Sequence, residues 1–269
     1  MTTTMLIDAA ELIAAPPPIV FDCRFSLQDP NAGRAWYLAG HVPGAHYLDL
    51  NTDLSGTAGR HGGRHPLPAP GAFAALLARH GVGRDTEVVA YDDSRFAGAS
   101  RLWWLMRSLG YRSPRLLDGG YQAFLAAGGE PQQRVPQPQP LTGTAAVAGD
   151  FRGCCDIEGL RAAQGAGAWL IDSREERRYQ GLEEPIDPVA GHIPGALNRP
   201  WQGVTSADGK ILDADGLRAH WGDALAADQL VVYCGSGITA CVNLFSLALL
   251  GREDAMLYAG SWSDWCSHL

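Results

Sequence analysis

The sequence predicts an α/β fold built twice: two tandem domains, each a largely parallel sheet flanked by helices. Three observations predict it. Four sequence blocks recur in the same order in the two halves. Short apolar runs alternate with helix-like ones, and a stretch rich in Pro and Gln separates the halves.

The blocks pair as follows. "VFDCRF" (20–25) matches "LIDSRE" (170–175), and "AGHVPGAHYLDL" (39–50) matches "AGHIPGALNRPW" (190–201). "VVAYDDSRFAGASRLWWLMRSLGY" (88–111) matches "LVVYCGSGITACVNLFSLALLGR" (230–252), and "LLDGGYQAF" (116–124) matches "MLYAGSWSDW" (256–265). Between them, "GGEPQQRVPQPQP" (128–140) lacks helix or strand periodicity and reads as an extended linker. The expected division is 1–140 for the first domain and 151–269 for the second, with the linker over about 128–150.

In the first copy, Ile19–Phe21 is an apolar strand ending at an aspartate. Pro70–His80 is a helix with proline at its first position. Glu87–Tyr91 is a second strand, Arg101–Leu109 a helix and Arg115–Leu117 a third strand. The second copy repeats this with strands Leu170–Ile171, Leu230–Tyr233 and Ala255–Leu257, and helix Ala240–Leu250. Continuous apolar strands between helices indicate a parallel sheet covered on both faces. Ligands of such sheets bind at the carboxyl ends of the strands, where Cys234 stands.

Composition narrows the class. The chain is 46% hydrophobic and 19% charged, which is globular rather than disordered. A net charge of -8 argues against nucleic acid as a partner. No apolar run is long enough for a membrane span, and the first residues lack the basic start of a signal peptide. A cytoplasmic protein without a membrane partner is expected. The duplicated domains already supply an internal interface, so a monomer is expected. The six cysteines form no C-x-x-C pair, and no His/Cys cluster has zinc spacing. Each is by default a small buried thiol, including Cys241, seven residues after Cys234.

What the copies share and what they change separates fold from chemistry. The His-x-Pro-Gly-Ala turns at His41 and His192, and the aspartates Asp22 and Asp172, occur in both and read as structural. The loop after the central strand differs: "YDDSRFAGAS" against "YCGSGITACV", with Asp92 opposite Cys234. An aspartate cannot carry a sulfur, so any thiol chemistry belongs to the second copy. Cys234-Gly235-Ser236-Gly237-Ile238-Thr239-Ala240 leaves a strand and enters a helix. Glycines let backbone N–H groups curl around the sulfur, and such a nest stabilises an anion. Ser236 and Thr239 add hydroxyl donors. On this motif alone two readings stand: a buried cysteine before a Gly-rich turn, or a thiol activated as a nucleophile.

With its duplicated domain, paired His-x-Pro-Gly turns, Cys-containing loop and "YAGSWSDW" near the end, the sequence resembles the two-domain rhodanese family over nearly its whole length. The resemblance implies rhodanese-like domains, a silent first copy and a catalytic second copy whose Cys234 becomes a persulfide. A sulfur moves from a small anionic donor, and a thiophilic acceptor such as cyanide, a thiol or a dithiol removes it. No metal or organic cofactor is needed. Thiosulfate-preferring members carry Arg and Lys directly after the cysteine. Here Gly235 and Ser236 stand there, a pattern similar to 3-mercaptopyruvate sulfurtransferases. That subgroup's Ser-His-acid relay maps onto Ser236 and His65, but its acidic position falls on Asn51, with Asp53 or Asp49 as substitutes. Arg178 in "DSREERRYQG" matches the substrate-anion arginine, with Arg177 beside it. A further arginine of the subgroup is missing from "EEPIDPVAGHIPG". The Gly235-Ser236 pattern favours 3-mercaptopyruvate as the expected donor, while Asn51 and the missing arginine keep thiosulfate as the alternative.

Other classes fit less well. A cysteine phosphatase needs arginine six residues after the cysteine, and position 240 is alanine. A serine hydrolase wants G-x-S-x-G, but the residue two before Ser236 is Cys234. A non-enzymatic rhodanese-like binding module predicts loss of the cysteine, as in the first copy.

Overall fold

The computed structural model describes residues 5–14, 19–141 and 149–269; the 142–148 part of the expected linker lies outside the described residues. The chain divides into two compact units. The first contains β1 (Leu6–Ile7), α1 (Ala9–Ala14), β2 (Ile19–Asp22), α2 (Ala32–Ala39), β3 (His46–Tyr47), α3 (Pro70–Arg79), β4 (Val88–Tyr91), α4 (Ala97–Ser108), β5 (Arg115–Leu117) and α5 (Gly120–Ala126). The second contains β6 (Cys154–Cys155), α6 (Ile157–Gly165), β7 (Trp169–Asp172), α7 (Glu176–Tyr179), β8 (Leu197–Asn198), α8 (Ala214–Trp221), β9 (Leu230–Tyr233), α9 (Ala240–Leu249), β10 (Met256–Tyr258) and α10 (Ser261–Cys266).

Each unit has one five-stranded sheet. The orders are β1-β5-β4-β2-β3 and β6-β10-β9-β7-β8, with every pairing parallel. The central strands β4 and β9 are buried along their whole length. That burial is why they read as unbroken apolar runs rather than alternating ones. Both lead into a helix buried nearly all round, α4 or α9. The helix α4 begins four residues before the expected Arg101. Its first turn, Ala97-Gly98-Ala99-Ser100, is made of small buried residues that lack a helical stripe in the sequence. On the surface, α6 and α8 begin at aspartates whose carboxylates accept the N–H of Gly159 and Gly216, each at 2.8 Å.

The repeated aspartates are structural fixtures. Asp22 binds the Arg24 guanidinium at 2.6 Å, and Arg24 in turn donates to the Gly40 carbonyl at 2.7 Å. Asp172 binds Arg174 at 2.7 Å, and Arg174 donates to the Gly191 carbonyl at 2.6 Å. Each pair thus ties the end of β2 or β7 to the residue before a His-x-Pro-Gly turn. The turn histidines bond backbone: His41 Nδ1 lies 2.8 Å from the Tyr37 carbonyl and His192 Nδ1 2.7 Å from that of Tyr179. Burial makes these ion pairs necessary, since either partner left alone would be an uncompensated charge.

The units are not contiguous halves. Residues Gly56–Leu67 group with the second unit and Ala207–Lys210 with the first. The expected 1–140 and 151–269 division does not contain this exchange. It matters because Arg64 and His65 lie in the transferred segment.

Candidate active site

Strand β9 delivers Cys234 at its carboxyl end, in the middle of the second sheet, and only 2% of the residue is exposed. The loop 234–239 is tied down by the start of α10. Trp262 N–H donates to the Cys234 carbonyl at 3.0 Å and Ser263 N–H to that of Gly235 at 2.9 Å. Cys234 N–H donates to Ser261 Oγ at 3.2 Å. Ser261 holds a left-handed backbone (φ 57) that a non-glycine residue rarely adopts. Its place here was not legible in the sequence.

Gly237 turns its N–H to the sulfur, donating to Cys234 Sγ at 3.2 Å. It does so at φ +79, and a Cβ there would drive into the Ala259 carbonyl oxygen. Both facts require glycine. Ile238 and Ala240 are buried and contribute backbone, not reactive groups. Thr239 stands at the N-cap of α9 and makes no side-chain cap bond. Cys241 Sγ donates to the Gly237 carbonyl at 3.4 Å and is fully buried, as a core thiol would be.

The first unit shows what this loop shape does to an anion. Asp92, opposite Cys234 in the repeat, is buried with its carboxylate in the turn. Its Oδ1 accepts the N–H of Ser94 at 2.8 Å and of Phe96 at 3.1 Å, and its Oδ2 that of Ala99 at 2.8 Å. The nest exists, filled by the protein's own carboxylate. Burial pushes Asp92 up to about 6 despite these bonds.

Ser236 and His65 meet as expected: Oγ lies 2.8 Å from Nδ1, and both residues are buried. The candidate acidic partners are engaged in a turn of the first unit. Asp49 Oδ1 accepts the N–H of Asn51 at 2.8 Å and of Thr52 at 3.0 Å, and Asp53 Oδ2 accepts that of Asp49 at 2.9 Å.

Of the two neighbouring arginines, Arg178 is the inward one, with 13% of its side chain exposed against 64% for Arg177. A Cβ on Gly235 would lie 3.5 Å from Arg178 Nη1 and 3.2 Å from Nη2 of Arg64. Arg64 was missed by sequence reasoning, although it precedes His65 directly. It sets a second guanidinium beside Gly235. Asp187 bridges both, its Oδ1 pairing with Arg64 and its Oδ2 with Arg178 at 3.2 Å. Glu184 binds Arg178 at 2.6 Å and Arg174 at 3.1 Å. Burial raises the Asp187 carboxyl above its ordinary value, against the pull of Arg64. Burial also raises Glu184, but Arg178 and the N–H groups of Asp187 and Ile186 outweigh it and hold Glu184 below its ordinary value.

The site therefore offers a buried thiol that accepts the Gly237 N–H, a hydroxyl–imidazole couple and two guanidiniums sharing one carboxylate. Comparison with known proteins agrees in kind. The model of the Rhodanese-like domain matches residues 6–127 and 156–268. The chain is 43% identical to the "Probable 3-mercaptopyruvate sulfurtransferase" of Pseudomonas aeruginosa, over 98% of this chain and 96% of that one. It is 40% identical to the "Putative thiosulfate sulfurtransferase SseB" of Mycobacterium tuberculosis, over 98% and 94%. The structure of 3-mercaptopyruvate sulfurtransferase from Leishmania major superimposes with TM-score 0.86 at 30% identity, covering 100% of this chain and 76% of that one.

Proposed function

We propose, for a chain that belongs to the rhodanese family and is a sulfurtransferase, that Cys234 takes its sulfur from 3-mercaptopyruvate. In this cycle the Cys234 thiolate attacks the donor sulfur and an S–S bond forms. The donor C–S bond breaks, and its electron pair leaves as the enolate of pyruvate. The proton lost from the donor thiol is balanced by the proton the enolate gains at carbon. An acceptor thiol or cyanide then takes the outer sulfur and restores the thiolate, a double displacement. The Gly237 N–H and the rest of the loop stabilise the sulfur anion, and Arg178 with Arg64 holds the donor carboxylate.

The 2.8 Å contact between Ser236 and His65 carries this reading. Moving a proton from sulfur to carbon calls for a relay beside the nucleophile. Thiosulfate needs none, because sulfite leaves with no proton transferred. Replacing Ser236 by Ala should therefore lower kcat/KM for 3-mercaptopyruvate by about 10²-fold, the usual scale of positioned acid–base groups, and leave thiosulfate turnover nearly intact. Equal losses with both donors, or a wild-type preference for thiosulfate, would overturn the assignment in favour of a thiosulfate:cyanide enzyme. A binding-module reading is disfavoured by the retention of Cys234 in a loop that turns the Gly237 N–H to its sulfur. Six free cysteines fit the reduced cytoplasm, where we place the protein as a monomer. Among the described residues no helix is long and apolar enough to cross a membrane.

A further inference from the structure

We infer that Ser261 is a positioning residue for the Cys234 sulfur: its hydroxyl holds the nucleophile's own backbone N–H, and a strained backbone keeps that hydroxyl in place. Ser261 is fully buried. With φ 57 it is, among the described residues, the only non-glycine residue of the second unit in the left-handed region. Such a backbone is strained for any residue with a Cβ, and glycine would hold it without cost. Strain kept in this way points to a task for the side chain.

The hydroxyl is used twice. It accepts the Cys234 N–H at 3.2 Å and donates to the Tyr258 carbonyl at 3.0 Å. An amide N–H only donates and a carbonyl only accepts, so one hydroxyl satisfies both. Tyr258 ends β10, the neighbour of β9 in the sheet, so the start of the reactive loop hangs from the adjacent strand. Two further bonds complete a clasp by consecutive residues. Trp262 N–H holds the Cys234 carbonyl at 3.0 Å, and Ser263 N–H that of Gly235 at 2.9 Å. The peptide groups on both sides of Cys234 are thereby fixed, and with them the direction of its Cα–Cβ bond. That direction sets the 3.2 Å contact between Sγ and the Gly237 N–H.

The repeat supplies a control. Arg115 pairs with Val89 in one sheet as Met256 does with Val231 in the other, so Gly120 falls on Ser261 and Tyr121 on Trp262. Gly120 holds nearly the same backbone, at φ 60. Tyr121 N–H donates to the Asp92 carbonyl at 2.8 Å, as Trp262 N–H does to that of Cys234. The first unit thus keeps the turn and this bond without a hydroxyl. A Cβ added at Gly120 would meet the Asp92 carbonyl oxygen at 2.1 Å, whereas the second unit seats a side chain at Ser261.

Glycine therefore occupies the left-handed position where an aspartate follows the central strand, and serine occupies it where Cys234 does. The fold itself asks only for the turn; the hydroxyl accompanies the sulfur. The assignment rests on Cys234 as the sulfur carrier and adds what keeps that sulfur aimed.

The test compares Ser261→Ala with Ser261→Gly. Both remove the hydroxyl, but only glycine relieves the backbone. Stability should follow the backbone, so Ser261→Gly should melt about 2–4 °C above Ser261→Ala. Reactivity should follow the hydroxyl. Iodoacetamide labelling of Cys234 in the reduced protein, read by peptide mass, should slow about three- to tenfold at neutral pH in both variants, with the pH profile displaced upward. Sulfur-transfer kcat/KM should fall in parallel. A wild-type labelling profile in Ser261→Gly overturns the assignment. So does recovery in Ser261→Gly of reactivity that Ser261→Ala has lost, because strain and not the hydroxyl would then be at work. Equal melting of the two variants overturns the strain argument. Should Ser261→Ala fail to fold, labelling of Ser261→Gly alone decides. Labelling involves no sulfur donor, so its outcome is separate from the choice between 3-mercaptopyruvate and thiosulfate. Failure of Cys234 as the sulfur carrier would show differently, as continued turnover in Cys234→Ser.

Discussion

Replacing Asp187 by Asn tests whether the charge beside Gly235 selects the donor. Asp187 shares its two oxygens between Arg64 and Arg178, and Glu184 also pairs with Arg178, so two carboxylates balance the two guanidiniums. Repulsion from Asp187 weighs twice as heavily on a dianion such as thiosulfate as on a monoanion such as 3-mercaptopyruvate. A donor anion gripped by both arginines would lie about 6 Å from that carboxylate, where one unit of repulsion at an effective dielectric of about 40 is about 1.4 kcal/mol. Removing it favours a monoanion by about that amount and a dianion by about twice as much. The ratio of kcat/KM for thiosulfate over 3-mercaptopyruvate should then rise about tenfold. The assay compares both donors with one acceptor at low and high salt, and the shift should shrink as salt screens the pair. A ratio within about twofold of wild type, or one that moves toward 3-mercaptopyruvate, refutes the reasoning.

Cys234→Ser should abolish sulfur transfer from both donors while Cys23→Ser does not, read as turnover and as a sulfur adduct by intact-protein mass. Gly237→Ala forces a Cβ into the Ala259 carbonyl at a left-handed φ; it should cost about 1–3 kcal/mol in urea unfolding and most of the activity. Asp92 is raised by burial from 3.8 to about 6, so between those values the folded state binds the proton more tightly than the unfolded one. Stability should accordingly fall as pH rises from about 4 to about 6, by at most about 3 kcal/mol. Asp92→Asn should flatten unfolding free energy over that window, and an unchanged slope would show that another group is responsible.

The parts legible in the sequence were those with a pattern long enough to carry information. Leu230–Tyr233 and Arg115–Leu117 are strands with the bounds their apolar runs suggest. The strands β1, β3, β6 and β8 span two residues each, too few for any period to register. Aligning Asp92 with Cys234 revealed the lost sulfur but not the filled nest, because backbone N–H groups have no signature in the sequence. Ser236 and His65 were named from a family resemblance, and no spacing rule joins residues 171 apart. Arg64 and Asp187 escaped notice for the same reason: each reads as an ordinary surface charge until the fold sets them side by side.

The transferred segment Gly56–Leu67 decides what the second half of the sequence can hold by itself. Here a chain cut back to the half that contains Cys234 would lose Arg64 and His65, and with them the imidazole beside Ser236 and one of the two guanidiniums near Gly235. A cut at the linker between the repeats is therefore not a cut between the compact units: the first half of the sequence supplies side chains to the second.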